Sequence, residues 1–202
     1  SAGDSTDPGF LIVAIDALYG GFLGSCLASE LGVPGQSVLV LGSHTHSAPG
    51  TDTGLSGLGI TRRDHVRSVA AAVARDLRAA APHEVSAVVP DRVALSPLFV
   101  NRRHPVWGGL HLPHLGSVVA APNPAGPVDL TATVLTLIGT AGPIAVIWGV
   151  ACHPVCAPHP DLVSPDYPGR VRAGIRAAAG WAIPVVFAQG FSADIRPATS
   201  TR

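Results

Sequence analysis

The segment Ser43-His44-Thr45-His46-Ser47 places two imidazoles two residues apart. In an extended chain, residues i and i+2 project to the same side. Both rings can therefore face one ion, and neutral imidazole nitrogen is a favoured zinc ligand. The same spacing also allows one ring to bind metal while the other moves protons. A third histidine, His153, follows the apolar run 143–152 and precedes Pro154. A carboxylate, Asp16, closes the apolar run that begins at Phe10. Three apolar runs thus end on Asp16, on His44 and His46, and on His153. Sites in α/β folds collect beyond the carboxyl ends of strands, which sets these residues apart from the other polar positions.

Several further residues carry chemistry of weaker pattern. Asp166 lies in Ser164-Pro165-Asp166-Tyr167-Pro168-Gly169, just before a helical stretch. It suits a helix N-cap, or a partner that holds the N–H of a metal-binding imidazole. Arg102, in Asn101-Arg102-Arg103, can orient a carboxylate or carbonyl, although a solvated surface arginine is the ordinary reading. His104, His111 and His114 fall close together, and His111-Leu112-Pro113-His114 has the spacing of a metal clip weakened by its proline. His65 and His83 sit on or beside a long helix and read as surface residues. The three cysteines, Cys26, Cys152 and Cys156, are too few and odd in number for a disulfide scaffold. The Cys152–Cys156 spacing is compatible with metal, but Cys152 on an apolar strand reads as a buried, inert thiol.

The elements that must position these residues follow from periodicity and punctuation. Strands are expected at 10–16, 37–42, 85–95, 130–138, 144–152 and 185–190 from their apolar runs and bounding turns. The turn Asp7-Pro8-Gly9 precedes the first strand, and Thr140-Ala141-Gly142-Pro143 makes a hairpin of the fourth and fifth. Helices are expected at 18–32, at 62–81 with Thr61 as N-cap and Pro82 as stop, and at 166–179. Residues 48–59 form a glycine-rich loop, and 96–127, which includes Trp107, reads as a long loop. The fold class is α/β: a mixed sheet of buried strands flanked by helices, with the metal site at the carboxyl ends of strands.

Composition narrows the function classes. Of 202 residues, 47% are apolar and 13% charged, which favours a buried core over disorder. The formal net charge is zero, so no basic surface points to nucleic acid. All thirteen cations are arginine, a bias with no physical account here. No apolar run reaches the roughly 20 residues of a transmembrane helix. The 23 Gly and 19 Pro imply many turns. With no Met in the chain, residues 1–202 are expected to be one partial catalytic domain of a longer protein.

Taken together, the motifs resemble the neutral/alkaline ceramidase family. Val38 to Gly50 is similar to its strand and His-Thr-His-Ser-Gly-Pro-Gly segment. Asn101-Arg102 resembles its Asn-Arg loop. Asp129 to Val155 looks like its hairpin ending in Ala-x-His-Pro, here Ala151-Cys152-His153-Pro154. Ser164 to Gly169 resembles its Ser-x-Asp-Tyr-Pro-Gly stretch. Phe187 to Pro197 is similar to its Phe-x-Gln-x-x-x-Gly-Asp-Val-Ser-Pro segment. Five motifs in the same order cover nearly the whole chain.

The resemblance implies a zinc amidase acting on the N-acyl bond of a lipid or lipid-like substrate. By position, His44 and His153 would be Zn2+ ligands, His46 the proton-transfer histidine, and Arg102 a substrate-orienting arginine. Two departures matter. The family completes its zinc site with a Glu and a Tyr much further along, whereas Glu30 and Glu84, the only glutamates here, are not in matching segments. The family's serine falls on Arg196, which cannot be a nucleophile, and Ser192 and Asp194 are out of register. Attack by metal-activated water is therefore the expected mechanism. A non-catalytic, ligand-binding relative and a metallo-esterase are the alternatives.

Overall fold

The computed structural model describes residues 10–54, 61–81, 83–106, 117–157 and 162–198. The expected turn at Asp7-Pro8-Gly9, the stop at Pro82, part of the glycine-rich loop, Trp107 and the His111–His114 clip lie outside the described residues. The architecture is mixed α/β, with sheets flanked by helices.

The first unit is a parallel pair. β1 (Leu11–Ile15) runs alongside β2 (Val38–Gly42), with Ile15 opposite Gly42. Two helices cover one face of it, α1 (Gly21–Leu31) and α2 (Arg63–Ala79). Leu23 and Leu27 of α1 lie one turn apart and meet Val66, Ala70 and Ala74 of α2, with Val13, Ile15 and Val40 beneath them. The small Ala70 and Ala74 face the bulkier leucines. α1 stops at Gly32, whose left-handed φ of 70° lets the chain turn back and cap the last carbonyls. Neither strand is buried throughout: Ile12 of β1 and Leu39 of β2 are exposed, because the helices cover only one face. α2 begins without the expected cap. Arg62 occupies the N-cap position with no side-chain cap bond, and Thr61 Oγ1 instead donates to Asp52 O at 2.7 Å.

The second unit is a four-stranded mixed sheet of order β3-β6-β7-β8. β3 (Ala87–Ala94) pairs antiparallel with β6 (Thr131–Gly139), and β6 forms the expected hairpin with β7 (Gly142–Val150). β8 (Val185–Gln189) returns parallel to β7 after α3 (Asp166–Ala179). The core here holds Trp148, Val150, Ile183, Val185 and Phe187, with Tyr167 and Ile175 of α3 packed on it. β8 also lies against β1 and β2, joining the two units.

The third sheet corrects the expected loop at 96–127. β4 (Phe99–Val106) pairs antiparallel with β5 (Ser117–Asn123) and with β9 (Ile195–Pro197). Each strand carries a proline, Pro105 in β4 and Pro122 in β5, which obscures the strand pattern in the sequence. Pro105 sits in β4 opposite Val118, and the ladder breaks register between Asn101 and Arg103. No described helix is long and apolar enough to cross a membrane.

Leu27 is fully buried between the helices and the parallel pair. Leu27→Ala is expected to destabilise the chain by about 3 kcal/mol, read as a lowered midpoint in denaturant unfolding. A shift below about 1 kcal/mol would contradict the assignment of this cluster as core.

Candidate metal centre

β2 ends at Gly42 and delivers the His-Thr-His segment into the junction between the sheets. Ser43 N donates to Ile15 O at 2.8 Å, and His44 N donates to Ala17 O at 2.9 Å. The backbone then bends sharply, since His44 has φ 63°. A side chain there crowds its own carbonyl, at a cost of about 1–2 kcal/mol. Thr45, fully buried between the two histidines, locks the bend. Its Oγ1 donates to Ser164 O at 2.8 Å and accepts from Ser47 N at 3.2 Å, while Ser164 N donates to Ser47 O at 2.7 Å. His153 arrives from the other sheet, just past the end of β7, and its N–H donates to Ile195 O at 3.0 Å.

The imidazole partners assign the tautomers. His44 Nδ1 lies 3.1 Å from Leu18 O. His153 Nδ1 lies 2.6 Å from Ser192 O and 3.2 Å from Ile195 O. Carbonyl oxygens only accept, so in both neutral rings Nδ1 carries the proton and Nε2 keeps its lone pair. This is the orientation that backbone carbonyls impose on metal-binding histidines. One ligand atom from each of His44, His46 and His153 lies within 4.8 Å of the others, the one such group among the described residues. Ring centroids are 5.3 Å apart for His44–His46, 5.0 Å for His44–His153 and 5.8 Å for His46–His153. Three convergent imidazole nitrogens fit a first-row divalent metal such as zinc. His153 is buried, His44 half-buried and His46 exposed.

The remaining candidates fall into three groups. Arg102 reaches the centre: its Nη2 lies 3.4 Å from His153 Nε2, and its Nε and Nη2 donate to Ala193 O at 3.1 and 2.8 Å. Asp166 is buried and braces the centre. Its Oδ2 accepts from Ala157 N at 2.6 Å and its Oδ1 from Tyr167 N at 2.7 Å, so it ties the segment after His153 to α3. For His44 and His153, backbone carbonyls fill the Nδ1 position expected of Asp166. Nor does Asp166 cap α3 from the N-cap, which is Pro165; it opens the helix with φ 53°. Asp16 and His104 are engaged elsewhere, Asp16 with Arg172 Nη2 at 2.7 Å and His104 with Pro122 O at 3.0 Å.

The network that holds Arg102 was not legible in the sequence. Buried Asn101 donates from Nδ2 to Asp194 Oδ2 at 3.0 Å and to Pro127 O at 3.1 Å, and its Oδ1 accepts from Arg103 N at 2.8 Å. Arg102 N donates to Asp194 O at 2.7 Å. Gln189 Nε2 donates to Ser192 Oγ at 2.7 Å and to Cys152 O at 3.1 Å, fixing the turn that presents the Ser192 carbonyl. Tyr167 Oη donates to the same Cys152 carbonyl at 2.7 Å. Burial pushes the Cys152 thiol well above its ordinary range, in keeping with an inert core cysteine, and Cys156 is pushed up to about 11, first by burial and then by the charge of Asp166. A cavity of about 560 Å³ opens over the centre, lined by Tyr19, His44, Arg102, His153, Ser192 and Asp194 among others.

With this geometry in hand, comparison with known proteins shows the fold. Neutral ceramidase from Pseudomonas aeruginosa superposes with a TM-score of 0.64 at 16% identity, covering 88% of this chain and 29% of that one. A ceramidase complexed with C2 superposes with a TM-score of 0.63 at 18% identity, covering 92% of this chain and 30% of that one. The chain thus spans less than a third of each. No family model matches the chain, and no curated protein sequence matches it. The fold is that of the family whose motifs the sequence resembles.

Burial lowers the pKa of His153 below the ordinary 6.5; the Ser192 carbonyl opposes this, and the charges of Arg102, His44 and His46 reinforce it. A depressed folded value means the unfolded chain binds the proton first. The neutral ring's contribution to stability is therefore present above about pH 6.5 and is lost as pH falls through the lower folded value. Thermal melts from about pH 7 to pH 5 are expected to show a loss of stability that His153→Gln reduces. An identical pH slope in the variant would contradict the assignment.

Proposed function

We propose that this chain carries the core of a zinc-dependent hydrolase of ceramidase type, which cleaves the N-acyl amide bond of a lipid or lipid-like substrate with water. The observation that carries the reading is the convergence of three imidazoles, two of them with Nδ1 committed to backbone carbonyls. His44 and His153 would hold the metal, since their Nδ1 atoms are committed to carbonyls and Nε2 keeps its lone pair. His46, the exposed ring, takes a proton from the attacking water and returns it to the leaving nitrogen as the C–N bond breaks. Arg102 faces the same cavity and orients the acyl carbonyl. Asp166 acts through the backbone, holding the segment after His153 against α3. When bound there, zinc would supply Lewis acidity to the carbonyl and lower the pKa of water. Arg196 stands where the family has a serine, which favours water over a serine nucleophile. The two superposed structures are ceramidases about three times as long as this chain, which supports an amide substrate for the whole protein.

A second reading, a non-catalytic relative that binds a ligand at the same centre, draws on that same Arg196. Activity separates the two. His44→Ala is expected to lose bound zinc, measured by elemental analysis, together with hydrolysis of N-acyl lipid amides. His46→Ala is expected to keep the zinc and lose about 10²–10⁴-fold in kcat. Zinc binding with no hydrolysis across a panel of acyl amides and esters would favour the binding protein. Undiminished hydrolysis in His44→Ala would overturn the metal reading.

A further inference from the structure

The Arg102 guanidinium lies on the one ring nitrogen of His153 that is available to a metal. Nδ1 is committed to Ser192 O and Ile195 O, so Nε2 carries the lone pair, and Arg102 Nη2 sits 3.4 Å from it. That placement is built rather than incidental. Nε and Nη2 of the same guanidinium both donate to Ala193 O. The Arg102 backbone is pinned to Asp194 O. Asn101 next to it is buried and grips the Asp194 carboxylate. The turn 192–195 therefore presents carbonyls to His153 and to Arg102 at once, holding the two side chains face to face.

We infer that Arg102 and a divalent cation compete for Nε2 of His153, so that Arg102 sets the affinity of the centre for its metal. The inference rests on the metal reading above. Two physical facts carry it. A ring nitrogen has a single lone pair, which can accept from an N–H or coordinate a metal, not both. An always-charged guanidinium beside the ring also repels a second cation in a pocket partly shielded from water. Metal entry thus requires Nη2 to leave His153. Once displaced, Nη2 can donate into the cavity shared with Tyr19, His44, Ser192 and Asp194. Metal loading and the presentation of Arg102 to a substrate carbonyl or carboxylate become one coupled event.

The test is the zinc affinity of the full protein that contains residues 1–202, measured by competition with a chromophoric chelator for the wild type, Arg102→Gln and Arg102→Lys. Gln keeps a donor for Ala193 O and removes the repelling charge, so it is expected to bind zinc about 10-fold more tightly. Lys keeps the charge but loses the fork and is expected to fall between. Circular dichroism of the metal-free variants confirms that they fold. Nitrogen-15 spectra of the metal-free protein supply a second readout, in which the His153 Nε2 resonance moves in Arg102→Gln while His44 Nε2 does not. Equal or weaker zinc affinity in Arg102→Gln overturns the competition and leaves the metal reading intact. Absence of zinc binding in every variant overturns both.

Discussion

The contact on which the centre depends is the hydrogen bond from His153 Nδ1 to the Ser192 and Ile195 carbonyls. His153 leaves the end of β7 in the four-stranded sheet, whereas Ser192 lies in the turn before β9 and Ile195 opens that strand in another sheet. One imidazole therefore joins two sheets, and its Nε2 faces the histidines that β2 brings from the third. The same turn accepts from Arg102 through Ala193 O and Asp194 O. Without that turn, His153 would lose its tautomer and Arg102 its anchor together. Gln189 and Tyr167 reinforce the arrangement from behind, both donating to the carbonyl of Cys152, the residue before His153.

Backbone strain marks the same region. Among the described residues, the non-glycine positions with positive φ are His44 and Asp166. Each costs of order 1–3 kcal/mol, and each is held by neighbouring bonds. His44 bends where Thr45 and Ser47 clamp onto Ser164, and Asp166 turns where its carboxylate accepts two backbone N–H groups. Ser164 takes part in both, since its Oγ also accepts from Asp166 N at 3.1 Å. The strain at His44 and the strain at the start of α3 are thus two ends of one brace. A residue spacing read from sequence shows the histidines but not the bend that brings them together.

What was legible follows from this. Strand-end histidines stand out because apolar runs end abruptly at polar residues, and His44, His46 and His153 were visible on those grounds. The hairpin of β6 and β7 and the helix at α3 were equally plain from alternation and turn chemistry. β4 and β5 were not, because prolines, histidines and a register break obscured their alternation. Thr45, Asn101, Gln189 and Asp194 were missed for another reason. Their roles depend on partners far along the chain, such as Ser164 for Thr45, Asp194 for Asn101 and Cys152 for Gln189, which residue spacing does not show. Asp166 was found for its position before a helix, yet its observed bonds are to backbone amides rather than to the His44 or His153 ring.

The account makes the centre a histidine site, although two cysteines lie close by in the sequence, at Cys152 and Cys156. Zinc K-edge X-ray absorption on the metal-loaded chain separates these directly. The account predicts a first shell of nitrogen and oxygen at about 2.0–2.1 Å with the outer scattering of imidazole rings. A sulfur shell at about 2.3 Å, or a first shell without imidazole scattering, would contradict it.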